Sequence, residues 1–320
     1  DRDGAAVLFK QALNLDASCE SALGFFVHYY FDTEQWEEAL PVFRAFEGVV
    51  ESMDIEEDDD DRIEATAYHY KYGVVLSRTE HDGEALGQFA RALELTPTHL
   101  PSLEAAAPRY FSAGEWKKAK ETSRAILRLR GGTGDSASLT QLYLRLGNSE
   151  LELGDTVNAL KRFKKALDQS PNHVDALQGI ASIHQRTADW NSLLSTYNSI
   201  IKYARDPDQV IRAYMTKGDV LEQKLQFTDK AVLHYEKVLM YDKQNVAAMT
   251  RLAEISVRSG DLDRAREFAA KASDVASTVE ESEQARILEV LAGSGDQADA
   301  AELRRGPASG DNAPIAAFRA

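Results

Sequence analysis

Five residue types return at identical spacing in two separate stretches of the chain. Gly147, Ala159, Phe163, Ala166 and Pro171 follow one another at intervals of 12, 4, 3 and 5 residues. Gly73, Ala85, Phe89, Ala92 and Pro97 repeat both the types and the intervals. At average usage of these residues, chance gives such a second match about once in a million registers. An array of this kind has no single closed core, so the length rule that would divide 320 residues into two domains does not apply.

Looser copies of the same register run through most of the chain. Ala253, Ala265, Ala269 and Ala272 keep its small residues, while Val27, Ala39, Phe43 and Phe46 keep an aromatic. Ala181, Leu193, Tyr197 and Ile200 form another copy, and Ala107, Ala119, Ser123 and Ile126 a weaker one. Gly218, Ala231, Tyr235 and Val238 fit once an extra residue is placed in a turn near Lys224–Thr228. Ala5, Phe9 and Ala12 read as the second half of a unit. Trp36, Trp116 and Trp190 all fall nine residues after the position that Gly147 holds in its own unit, each just past a turn signal. A large apolar residue there opens a second amphipathic helix. Each unit of about 34 residues is therefore two helices joined by a short turn. Small residues let the helices approach, Phe163 fills the space between them, and Pro171 stops the second helix. One such pair cannot bury its apolar face alone, so neighbours must stack.

The run of Tyr143, Leu146-Gly147, Ala159, Phe163 and Pro171 resembles the tetratricopeptide repeat, with Glu150 in place of the pattern's third aromatic. The resemblance implies an all-α fold, a right-handed superhelical solenoid of antiparallel helix pairs. It places a partial repeat at 1–19 and seven repeats over 20–279, starting near 20, 66, 100, 140, 174, 211 and 246.

Two insertions break the period. Residues 51–61 carry the run Glu56-Glu57-Asp58-Asp59-Asp60-Asp61 and read as a solvated loop whose last carboxylates favour the next helix N-terminus, the alternative being an electrostatic docking site for a basic partner. The run lacks the Gly and the alternating ligands of a calcium loop. Gly131-Gly132-Thr133-Gly134 lies in a connector at 131–139, without the Lys-Ser/Thr ending of a phosphate-binding loop. Residues 280–292 are expected to form a capping helix, and 293–320, rich in Gly, Ala, Asp and Pro, a flexible tail.

Acids outnumber bases 52 to 37, for a formal net charge of −15, which argues against nucleic acid as the main ligand. Cys19 is the sole cysteine, so no disulfide framework or cysteine zinc site is available. No stretch approaches the roughly 18 apolar residues of a membrane span. A cytoplasmic setting is expected, with the reservation that a chain opening on Asp1 reads as a fragment or a processed product, from which any targeting segment would be missing. His28, His69, His81, His99, His173, His184 and His234 form no metal or catalytic motif. No nucleophile elbow or dinucleotide fingerprint is present, so neither catalysis nor a cofactor is expected.

In tetratricopeptide proteins the first helices of successive units line a concave groove that holds a partner's peptide or helix. By register, the resemblance carries that role to Lys71, Arg78, Arg145, Asn148, Gln178, Ser182, Arg186, Arg212 and Arg251. This set is basic and amide-rich, which favours an acidic or carboxylate-bearing segment. The carboxylate clamp of chaperone-binding members is not expected, because Leu144 and Gly179 stand where its Lys and second Asn belong. The expected function is a protein–protein interaction scaffold or adaptor. The alternatives are a recruiting arm of a larger enzyme or complex and, against the net charge, helical-repeat RNA binding. The half unit at Ala5–Asp16 offers an edge for self-association.

Overall fold

In the computed structural model, which describes residues 2–56 and 58–293, every regular element is helical and no strand occurs among the described residues. Two compact units divide the chain, Asp1–Pro171 and Asn172–Ala320.

The first unit begins with α1 (Arg2–Leu15) and continues as four antiparallel pairs. These are α2 (Glu20–Asp32) with α3 (Trp36–Glu51), α4 (Asp59–Arg78) with α5 (Asp82–Leu95), α6 (Leu100–Ser112) with α7 (Trp116–Leu129), and α8 (Ser136–Glu152) with α9 (Thr156–Gln169). The second unit holds α10 (Val174–Arg186) with α11 (Trp190–Tyr203), α12 (Pro207–Asp219) with α13 (Thr228–Tyr241), and α14 (Val246–Ser259) with α15 (Leu262–Val275). It ends, among the described residues, on α16 (Val279–Gly293).

The recurring residues explain the pairs. Ala159, Phe163 and Ala166 have no exposed surface, and their spacing sets them on one stripe of α9. Ala85, Phe89 and Ala92 do the same in α5, and Ala265, Ala269 and Ala272 in α15. A Cβ added at Gly73 would lie 2.6 Å from the Phe89 ring, and one at Gly147 would lie 2.9 Å from Phe163. The helix backbones come this close only because those positions carry no side chain.

One turn geometry joins the two helices in six of the seven pairs. The amide of Asp155 donates to the Glu150 carbonyl at 2.8 Å, and that of Asp189 to the His184 carbonyl at 2.9 Å. Gln35 to Tyr30, His81 to Leu76, Glu115 to Tyr110 and Asp261 to Ser256 repeat the five-residue step. Such a cap needs a left-handed residue just before the donor. Gly114, Gly154 and Gly260 supply it, but Glu34, Glu80 and Ala188 hold the same place at φ of 55°, 63° and 55°. Asp155, Asp189 and Asp261 then cap α9, α11 and α15 by accepting from Asn158, Ser192 and Arg264 amides.

The sixth of the seven pairs, α12 with α13, differs. The extra residue expected in the turn near Lys224–Thr228 lies inside the helix instead, where α12 continues as a π segment over Val220–Lys224. The cap of that pair spans six residues, from the Phe227 amide to the Leu221 carbonyl at 2.7 Å. Widening one helical turn absorbs the insertion while leaving the connecting turn its normal form.

The insertions are shorter as loops than expected. Glu51 ends α3, and Asp58 caps α4 through the amides of Asp60 and Asp61. Asp59, Asp60 and Asp61 form the first turn of that helix, where carboxylates offset the positive end of the dipole. The helix placed near residue 66 thus starts at Asp59. The glycine connector likewise gives way to α8 at Ser136, capped by Asp135. The stretch expected to be a tail lies, from residue 294 on, outside the described residues.

Glu150, the departure from the repeat pattern, is fully buried in α8. Arg124 of α7 donates to its Oε1 at 2.7 Å, and the Arg162 Nε of α9 stands 3.5 Å from its Oε2. At one end of the chain, α1 packs on α2 through Phe9 and Phe25, whose rings stack at 4.6 Å. Val7, Leu8 and Leu15 of α1 remain exposed. α16 buries Ala285, Leu288, Leu291 and Ala292 against its unit.

Candidate functional site

The nine residues assigned to the partner face all sit on first helices of pairs, and the structure separates them into two groups. Lys71 and Arg78 of α4 and Arg145 and Asn148 of α8 belong to the first unit. Gln178, Ser182 and Arg186 of α10, Arg212 of α12 and Arg251 of α14 belong to the second.

Several are already engaged within their own unit. Lys71 Nζ lies 2.7 Å from His28 Nδ1 and 5.3 Å from the centre of the Phe31 ring, and burial lowers its pKa. Arg78 covers the Trp36 ring at 5.7 Å. Asn148 donates its amide to the Leu144 carbonyl of its own helix, and Ser182 donates its hydroxyl to Gln178. Arg212 faces Asp206 at 3.9 Å. Arg251 lies 3.1 Å from Glu254 and 3.5 Å from Asp219.

Arg145 is different. It is half-buried and lines a cleft of about 370 Å³ with Glu104, Arg130, Ser138 and Gln141. The Glu104 carboxylate is taken by Arg130, through bonds of 2.9 and 2.6 Å. No carboxylate among the described residues pairs with Arg145, and burial lowers its pKa. A guanidinium that has lost water without gaining a counter-ion favours an incoming anion.

The second unit presents a charge-balanced cleft instead of the basic face expected there. About 580 Å³ in volume, it is bounded by the π segment, α14 and α16. Glu222, Glu254 and Glu281 stand against Lys224, Arg251 and Arg258. Beneath it the buried Tyr235 hydroxyl lies 2.8 Å from Asp219 Oδ1 and 2.9 Å from Glu222 Oε2, and Arg258 pairs with Glu222. Burial, with Asp219 and Glu222 beside it, pushes the Tyr235 pKa far up. Glu254 is also raised by burial, against the pull of Arg251. This network was not anticipated from the sequence. The signal for it was Glu222, an acidic residue near the place that Leu76 fills in another pair.

The histidines are dispersed. His69 bonds Gln88, His99 bonds Ser102, and His184 faces Asp189 at 3.7 Å. Among the described residues no group of three or more His, Cys, Asp or Glu is placed to hold a metal, and no helix is long and apolar enough to cross a membrane.

Comparison with known proteins agrees with the repeat geometry. Family models of the tetratricopeptide repeat match residues 141–173 and 228–286. Superkiller protein 3 of Schizosaccharomyces pombe is 27% identical over 189 residues, 58% of this chain and 13% of that protein. The protein CTR9 homolog of Arabidopsis thaliana is 29% identical over 115 residues, 36% of this chain and 10% of that protein. The chain thus spans between a tenth and a seventh of these relatives. The C-terminal part of a repeat-containing protein from Cytophaga hutchinsonii superposes with a TM-score of 0.50 at 16% identity, over 78% of this chain and 94% of that one. The chain thus carries tetratricopeptide repeats at residues 141–173 and 228–286, within an all-α array of paired helices of the kind that serves protein–protein interaction.

Proposed function

We propose that the first-helix face of the first unit receives a segment of a partner protein, and that Arg145 binds a carboxylate of that segment. The observation that carries this reading is the half-buried, unpaired guanidinium in its cleft of about 370 Å³. A bidentate pair there would return the hydrogen bonds that burial removed. The contribution of the second unit is narrower than its sequence suggested, since Arg251 and Arg212 already face carboxylates.

Affinity capture from native lysate tests the reading, comparing the wild-type chain with Arg145→Glu and Arg212→Glu. Mass spectrometry identifies what each retains, and circular dichroism establishes that each is folded. A partner held by wild type and lost by Arg145→Glu is the expected result. Equal retention by both would remove Arg145 from the site.

A second reading takes these repeats as the recruiting arm of a larger assembly. It is favoured by the relatives, of which this chain spans 13% and 10%. Under it the captured protein would be part of the same stable complex and would co-purify at stoichiometric yield.

A further inference from the structure

The cations of this acidic chain are unevenly placed. Lys117, Lys118, Lys120, Arg124 and Arg128 lie on α7, against the single acid Glu121. Lys161, Arg162, Lys164 and Lys165 lie on α9, against Asp168 alone. These two helices of 14 residues each hold nearly a quarter of the chain's 37 Lys and Arg. The preceding second helices of the same unit have the opposite sign. α3 carries Glu37, Glu38, Glu47 and Glu51 with Arg44, and α5 carries Asp82, Glu84 and Glu94 with Arg91. Charge on the second helices therefore changes from negative to positive between α5 and α7.

α7 and α9 are tied together at their base. Arg124 and Arg162 converge from the two helices on the buried Glu150 of α8. Above that contact they bound a cleft of about 450 Å³, lined by Glu121, Arg124, Leu127, Arg128 and Arg162. Along the exposed sides of the two helices, Lys117, Arg128, Lys161 and Lys164 form no ion pair among the described residues. Holding so many like charges together is unfavourable until an anion arrives.

We infer that the α7–α9 face docks a carboxylate-rich segment of a partner protein, at a surface separate from the first-helix face that holds Arg145. Three features select this occupant. The cations are spread along helices of roughly 20 Å, which suits a run of several carboxylates better than one phosphate group. The exposed face offers no aromatic ring on which a base could stack, since Phe163 is fully buried and Trp116 packs on Phe111. The chain's net charge of −15 repels a long polyanion beyond the patch, whereas a short acidic segment ends within it.

The test uses the full chain and a fluorescein-labelled peptide of twelve Glu, Asp and Gly residues, read by fluorescence anisotropy. A Gln, Asn and Gly twin and a twelve-nucleotide uridine RNA are the rivals. The altered residues are Lys117→Glu, Arg128→Glu, Lys161→Glu and Lys164→Glu together, which leave Arg124 and Arg162 on Glu150. The expected result is binding of the acidic peptide alone, weakened by salt and at least tenfold weaker in the quadruple variant. Arg145→Glu should leave that affinity unchanged, which separates this surface from the proposed first-helix site. Should the quadruple Glu variant lose its helical circular dichroism, the corresponding quadruple Gln variant carries the test with a smaller loss. The inference fails if the acidic peptide does not bind at low salt, if the folded variant binds it as well as wild type, or if the RNA binds more tightly than the peptide.

Discussion

Adding one methyl group at Gly218 should damage the protein more than the same change at the equivalent glycines of other pairs. A Cβ at Gly218 would lie 2.4 Å from Tyr235 Cε1 and 2.7 Å from Cζ. Ordinary carbon contacts need about 3.5–4.0 Å, so the ring must retreat by about an ångström. Tyr235 is fully buried, and its hydroxyl is held by Asp219 and Glu222. Retreat therefore strains the packing, at about 1–3 kcal/mol, and loosens a hydrogen bond to a charged group, at about 1.5–3 kcal/mol. Better helix propensity returns no more than about 1 kcal/mol. The net loss for Gly218→Ala is then about 1.5–5 kcal/mol. At Gly147 the nearest ring atom is 2.9 Å away and belongs to Phe163, which has no polar anchor. Overpacking and propensity there nearly cancel, for a net change within about 1 kcal/mol. Gly73, at 2.6 Å from Phe89, should fall between. Urea unfolding followed by circular dichroism gives the ranking. Hydrogen exchange of α12–α13 and α8–α9 is needed beside it, because repeat arrays do not always unfold as one unit. Combining Gly218→Ala with Tyr235→Phe should recover part of the loss, since the ring is then free to move. Equal destabilisation at Gly218 and Gly147, or a reversed order, would refute the reasoning.

Three further outcomes follow from the packing. Replacing both Arg124 and Arg162 by Met leaves Glu150 buried without a cation and should cost about 3–5 kcal/mol in urea unfolding, whereas Glu150→Leu, matching Leu76 at the same register, should be close to neutral. Ala188→Gly should stabilise by about 0.5–1 kcal/mol in the same assay, because Ala188 is held at φ 55°, where a Cβ is costly. Burial and Lys217 lower the His234 pKa to about 4, while an unfolded histidine titrates near 6.5. The unfolded chain binds more protons between those values, so this contribution is complete above about pH 6.5 and is lost as pH falls towards 4. His234→Gln should therefore show a smaller drop in Tm between pH 7 and pH 5 than wild type. Glu254, raised by burial, acts with the opposite sign in both proteins and leaves that difference intact.

The helix pairs could be read in the sequence because their register rests on residues with one physical task each. Gly147 must admit a ring, Phe163 must fill the gap, and Trp36, Trp116 and Trp190 each open a second helix. The partner face could be read only as a list of positions. Whether Arg145 is free while Arg251 is neutralised depends on carboxylates that folding delivers from elsewhere, such as Asp219, 32 residues upstream of Arg251. The basic face of α7 and α9 was hidden for another reason. Its residues lie on second helices, outside the register from which the partner face was inferred, and net charge averages their sign away. The start of α4 was misplaced because a run of aspartates has poor helix propensity, while four carboxylates at a helix N-terminus gain from capping and the dipole.

The π segment at Val220–Lys224 bears on how such chains are aligned with one another. Alignment practice assigns length differences to loops and expects the gap to fall between helices. Here the connecting turn has ordinary length and the surplus residue sits within the helix. A gap placed in the turn would pair Glu222 with a residue on a different side of the helix in every aligned relative. The acidic residue beneath the cleft of the second unit would then be scored as surface variation.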